Sequence, residues 1–62
     1  MKSLKSYEGN GKKGEIYEGQ TKEGRSYYSV VAANKDGVYC RNLYQGWSLL
    51  DATRQALWYI NK

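Results

Sequence analysis

Ser26-Tyr27-Tyr28-Ser29-Val30-Val31-Ala32-Ala33, then Asn34-Lys35-Asp36-Gly37, then Val38-Tyr39-Cys40-Arg41-Asn42-Leu43-Tyr44: the reading of this run decides the fold. Both flanking segments are rich in β-branched and aromatic residues, which suit a pleated, half-buried surface. The connector ends in a glycine, which takes the positive φ that short hairpin loops demand. The run therefore predicts a β-hairpin. Lys22-Glu23-Gly24 shares the Lys-x-Gly pattern of Lys35-Asp36-Gly37. Each is expected to be a three-residue loop, a type I turn closed by a left-handed glycine in a G1 bulge. These loops frame strands over residues 15–21, 25–34 and 38–45, an antiparallel meander that no proline interrupts.

Working outward, residues 1–13 hold Leu4 and Tyr7 as their sizeable apolar side chains after Met1, and Gly9, Asn10 and Gly11 break any periodicity. Lys12-Lys13-Gly14 repeats the loop pattern, and Tyr7 to Glu15 is echoed by Tyr17 to Arg25. A strand-and-turn unit used twice would make residues 4–9 an extra edge strand. The N-terminal segment, 1–13, reads either as a basic, weakly ordered arm or as that strand. Residues 14–62 read as one βββα domain. Beyond the meander, Ser48 is placed to cap a helix, with Asp51 at the capping-box spacing. Leu49, Ala52, Thr53, Ala56, Leu57 and Ile60 recur at helical spacing. The expected class is α+β: a three-stranded, alternatively four-stranded, antiparallel meander with one C-terminal helix across a face.

A 62-residue chain buries only about 60% of the surface its unfolded form exposes. Cys40 is the one cysteine and there is no histidine, so neither an intrachain disulfide nor the usual zinc sets are available. A partner subunit is the remaining source of stability, and a homodimer is expected. The same composition, with no paired-carboxylate pattern, argues against an enzyme, a metal or a cofactor. No apolar run has the length of a membrane span and no signal-peptide pattern is present. A soluble, cytoplasmic protein is expected.

The net charge is +4. Lys2, Lys5, Lys12 and Lys13 against Glu8 place most of it in residues 1–13. A register pairing Ala32 with Cys40, Val30 with Asn42 and Tyr28 with Tyr44, with Thr21 closed on Arg25, sorts side chains onto two faces. Ile16, Glu18, Tyr28, Val30, Ala32, Val38, Cys40 and Tyr44 form the side expected beneath the helix, with Cys40 a small core residue and Leu57 buried. Tyr17, Tyr27 and Tyr39 fall with Arg41 on the other side, and Lys12, Lys13, Lys22 and Arg25 lie at its rims. On the helix, Trp58 falls about 160° from the apolar stripe, beside Arg54.

A three-stranded sheet backed by one helix is similar in arrangement to plant AP2-type domains and to the arm-binding domains of some phage-type integrases. With an extra N-terminal strand, the order also resembles that of small single-strand-binding coactivator domains. The likeness is one of arrangement alone; it implies that the outer sheet face meets nucleic acid. On the residues themselves, the first functional expectation is a DNA-binding or other nucleic-acid-binding regulatory module. In it Tyr17, Tyr27 and Tyr39 would stack on bases, and Arg41, Arg25, Lys22, Lys12 and Lys13 would meet phosphates. The second is a protein-interaction adaptor or inhibitor, of the kind phages and mobile elements carry, working through Trp58, Arg54, Tyr59 and Trp47.

Overall fold

The alternation of branched and aromatic residues with polar ones produces strands, and a computed structural model, describing residues 2–62, shows four of them. β1 (Lys2–Gly9), β2 (Lys12–Gln20), β3 (Ser26–Asn34) and β4 (Tyr39–Gly46) form one antiparallel sheet in the order β1-β2-β3-β4, and α1 (Leu49–Ile60) follows. The four-stranded form of the expected α+β fold is the one adopted, with residues 2–9 as an edge strand. No helix among the described residues is long and apolar enough to cross a membrane.

The Lys-x-Gly loops have the expected construction. Thr21 N–H donates to the Arg25 carbonyl at 2.9 Å and Gly24 N–H to the Thr21 carbonyl at 3.0 Å. Asn34 N–H to the Val38 carbonyl (3.1 Å) and Gly37 N–H to the Asn34 carbonyl (2.9 Å) repeat the pattern. Gly24 and Gly37 take φ of +84° and +82°, where a side chain would be strained. The first hairpin differs from the expectation. Its turn is Asn10-Gly11, with φ of +53° and +72°, the pair of left-handed residues that a two-residue type I′ hairpin needs. Lys12 and Lys13 therefore open β2, and Gly14 is a buried strand residue with no turn to make.

Gly14 matters because the helix crosses over it. A β-carbon there would lie 3.1 Å from Ala56 Cβ and 3.2 Å from its Cα, so the absent side chain is what admits the helix backbone. Ala52 and Ala56 sit completely buried against Ile16 and Val30, and Tyr7, Tyr28, Leu43 and Tyr44 pack around them. This overturns the expectation for Leu57, which is 37% exposed. The alanines, not the leucines, occupy the centre of the buried stripe, and Leu57 turns about 100° away from it.

β2 and β3 pair in the expected register, Ile16 with Val30 and Glu18 with Tyr28. β3 and β4 do not. Ala33 pairs with Tyr39 but Ala32 with Arg41, and Val31 pairs with Asn42 but Val30 with Tyr44. Cys40 and Leu43 are each an extra residue, so two bulges displace the expected pairs. Asn42 Oδ1 accepts from Tyr44 N–H at 3.2 Å, a local bond that competes with the ladder and holds the second bulge. The bulge lets Leu43 and Tyr44 both pack on the core. Cys40 is exposed, not a core residue, as is Val38. Arg41 shares a row with Ala32, beneath the helix, and not with Tyr39.

Ser48 caps the helix, its Oγ accepting from Asp51 N–H at 3.2 Å. The Ser48 N–H donates to the Tyr44 hydroxyl at 3.4 Å. At the other end, Asn10 Nδ2 donates to the Ile60 carbonyl at 2.6 Å, satisfying a helix-end acceptor that has no intrahelical partner.

The close approach predicts that Gly14→Val costs about 1 to 3 kcal/mol or more through overpacking, read as a lower urea midpoint at unchanged slope. Ile16→Ala should cost about 2 to 5 kcal/mol, and Leu57→Ala clearly less. Equal losses for Ile16→Ala and Leu57→Ala would contradict the helix orientation.

Candidate functional site

Strand pairing assigns each charged residue of the sheet to a side. The helix-covered side carries Lys2, Lys5, Lys12 and Arg41 against Glu18, and the helix adds Arg54, with Lys62 just beyond it, against Asp51. The open side carries Lys13 against Glu8 and Glu15. The two Lys-x-Gly loops and the residues beside them hold Lys22, Arg25 and Lys35 against Glu23 and Asp36. The helix side therefore accounts for +4, the whole net charge of the chain, while the open face is −1 and the loops +1.

On the helix side three lysines stand over aromatic rings. Lys5 Nζ lies 5.0 Å from the centre of Tyr7, Lys12 Nζ 5.6 Å from Tyr59, and Lys62 Nζ 4.8 Å from Trp58. Each is within cation–π range. Lys12 Nζ also donates to the Lys62 carbonyl at 3.1 Å. The end of α1 and the adjoining rim of the sheet thus form a basic, aromatic surface. Trp58 is 52% exposed, on the wet side as its phase predicts, and its cation is Lys62, four residues on, in place of Arg54.

The open face collects the tyrosines, as expected. Tyr17 pairs with Ser29, Tyr27 with Gly19, and Tyr39 with Ala33. Their roles differ. The Tyr27 ring lies across Gly19, where a β-carbon would come within 2.5 Å of it, so that ring shields a strand backbone. Its edge meets Trp47 at 6.4 Å between centroids, at 86°. The Arg25 guanidinium stacks 3.9 Å above the Trp47 indole. Trp47, expected to act with the helix aromatics, thus joins the sheet-face cluster instead. Tyr17 donates from its hydroxyl to Glu15 Oε1 at 2.9 Å, and Ser3 Oγ donates to Oε2 at 2.8 Å. These two bonds, with the nearby Lys13, hold the Glu15 carboxyl below its ordinary 4.5. The same bond keeps the Tyr17 phenol protonated above its ordinary 10.0.

Two shallow depressions mark this face. One lies among Thr21, Tyr27, Gln45, Gly46 and Trp47. The other, of about 320 Å³, lies among Glu15, Tyr17, Val31, Ala33, Gly37 and Tyr39. The structure therefore divides the residues expected to act together. Tyr17, Tyr27, Tyr39 and Lys13 belong to the open face, Lys22 to an exposed loop, Arg25 to the end of that loop, where it stacks on Trp47, and Lys12 and Arg41 to the helix side. Arg54 and Trp58 are exposed on the helix, and Tyr59 is half-buried there. Sequence reading missed Glu15, Lys5 and Lys62. Glu15-x-Tyr17 was the available signal, because residues two apart on a strand share a face. No protein-family model, curated protein or solved structure matches this chain.

The Glu15 network has a pH signature. A carboxyl whose folded pKa lies below its unfolded value adds stability above about pH 4.5, and that stability is lost as pH falls through the folded value. The Tyr17 phenol acts in the opposite direction, its contribution present below pH 10.0 and lost as pH rises through the folded value. Glu15→Gln should flatten both limbs of the stability–pH curve measured by urea unfolding. A variant curve parallel to the parent's at both ends would show that the two bonds do not persist in solution.

Proposed function

We propose that this protein is a small, non-enzymatic nucleic-acid-binding regulatory module that grips phosphates with its helix side. The observation that carries the reading is the concentration of the entire net charge on that side, interleaved with Tyr7, Trp58 and Tyr59. Cations on one face supply phosphate affinity, and an exposed indole beside them offers a stacking platform for an unpaired base. The open face is less suited to a polyanion, since Glu8 and Glu15 outweigh Lys13 there. An exposed free thiol at Cys40 suits the reducing cytoplasm.

A second reading has its own observation. Leu50 (61% exposed), Arg54, Leu57 and Trp58 occupy one outward arc of α1, a spacing that gives a helix a second apolar seam. Such a seam supports a protein-interaction module, with self-association across the helix as its simplest form. It also supports the homodimer expected from the small core.

Fluorescence anisotropy with labelled single- and double-stranded oligonucleotides separates these readings. Binding should weaken steeply between about 50 and 200 mM salt. Lys12→Gln and Lys62→Gln should each lower the slope of log affinity against log salt by about one. Trp58→Ala should cost about 1 to 3 kcal/mol on a single strand. Absence of binding at the lower salt would end the nucleic-acid reading. Binding abolished by Tyr39→Ala but indifferent to the lysines would move it to the open face. Sedimentation of Leu50→Lys beside the parent tests the seam: a parent dimer that becomes monomeric supports it, and a parent monomer at millimolar concentration removes it.

A further inference from the structure

The open sheet face is chemically unlike the helix side, and of its two depressions the one around Glu15 has a charged side chain in its lining. Val31 and Ala33 are small side chains of β3 on this face, while the rings of Tyr17 and Tyr39 and the backbone of Gly37 line the depression beside them. Tyr39 is 61% exposed, so most of its ring is available to a ligand. Glu15 is the charged residue of the lining. Its carboxylate is aimed by two bonds from its own chain, Ser3 Oγ on one oxygen and Tyr17 hydroxyl on the other. A carboxylate offers about four acceptor positions, and with the Ser6 side chain, directly across the strand, also hydrogen-bonding to it, one remains for an incoming donor. The two bonds stabilise the ionised form, and negative charge persists at neutral pH.

We propose that this depression is a recognition pocket for a side-chain cation, an arginine guanidinium or a lysine ammonium, presented by a polypeptide partner. Tyrosine faces attract cations through their ring quadrupole, and a fixed carboxylate supplies charge-assisted hydrogen bonds to the same group. Charge complementarity selects the occupant, since a phosphate or an acidic side chain would be repelled by Glu15 and Glu8. A purely apolar side chain would bury the carboxylate without a partner, which is costly. Lys13 lies on the same face, its charge felt by Glu15. It is the resident competitor, and Glu8, directly opposite it on β1, offers it an alternative partner. The site shares no residue with the basic helix side, so it stands or falls apart from the nucleic-acid reading.

The test is a backbone amide NMR titration with three capped tripeptides, acetyl-Gly-X-Gly-amide, where X is arginine, lysine or the neutral arginine isostere citrulline. The expected result is a saturable shift of the Val31, Ala33, Gly37 and Tyr39 amides with arginine, lysine or both, and none with citrulline. The stronger of the two cationic peptides names the preferred head group. Glu15→Gln should weaken binding about tenfold. Tyr39→Ala, at an exposed position that leaves the core intact, should weaken it too, and Lys13→Met should strengthen it. No shift with either cationic peptide, equal shifts with citrulline, or affinity unchanged in both Glu15→Gln and Tyr39→Ala would overturn the proposal.

Discussion

The contact between Gly14 and Ala56 governs the rest of the domain. Because β2 offers no side chain at that point, the helix backbone comes close to the sheet, and residues as small as Ala52 and Ala56 fill the space between them. A helix held this near has no room for leucine at the centre of its inner face. Leu50, Leu57 and Trp58 are therefore displaced to its outward arc. The core is correspondingly slight, with Ile16 and Val30 its largest fully buried side chains. Half-buried tyrosines at Tyr7, Tyr28 and Tyr44 complete it. Their rings add apolar area while their hydroxyls reach water or a nearby backbone group.

Much of this was legible in the chain. The two Lys-x-Gly loops, the β2–β3 register and the Ser48 cap follow from local rules, because glycine and hydroxyl chemistry act within a few residues. The parts that were not legible depend on contacts across the structure. Gly14 looks like turn chemistry in isolation, and only the helix above it explains why a strand tolerates a glycine there. The Asn10-Gly11 turn was readable in principle but was masked by the neighbouring Lys12-Lys13-Gly14, which has the pattern of the two real loops. The bulge at Leu43 is held by Asn42 bonding the Tyr44 backbone and brings Leu43 onto the core, and the bulge at Cys40 has no such local bond to announce it. No period-two reading anticipates an added residue. For the candidate surfaces, the tyrosine alternation was visible, and the placement of the cations was not. A single bulge carries Arg41 to the opposite side of the sheet, and Lys12 moves from a loop into a strand.

The outcome is a domain with two chemically distinct sides. Lysines over rings make the helix side positive and aromatic, while Glu15, Tyr17 and Tyr39 make the open face mildly negative and aromatic. Lys13 is the cation of the open face, and Glu8 and Glu15 outweigh it there. Within the sheet the division follows from strand alternation and from the bulge at Cys40: Lys12 and Lys13, adjacent in sequence, point to opposite sides, and Arg41 is carried to the helix side.

The bond from Asn10 to the Ile60 carbonyl spans 50 positions in the chain. Each strand of the meander pairs with its sequence neighbour, so the sheet needs only short loop closures, which are fast. Helix docking is different: its end must return to the first hairpin turn before the domain is closed. That return carries the long-range cost of folding and ties the first hairpin of the chain to its last element. The same tie operates in reverse. A transient release of the Asn10 side chain frees the end of α1, and fraying from that end first uncovers Gly9, against which Ile60 lies. The left-handed turn at Asn10-Gly11 is therefore a latch on the end of α1, and its opening is a local event distinct from global unfolding.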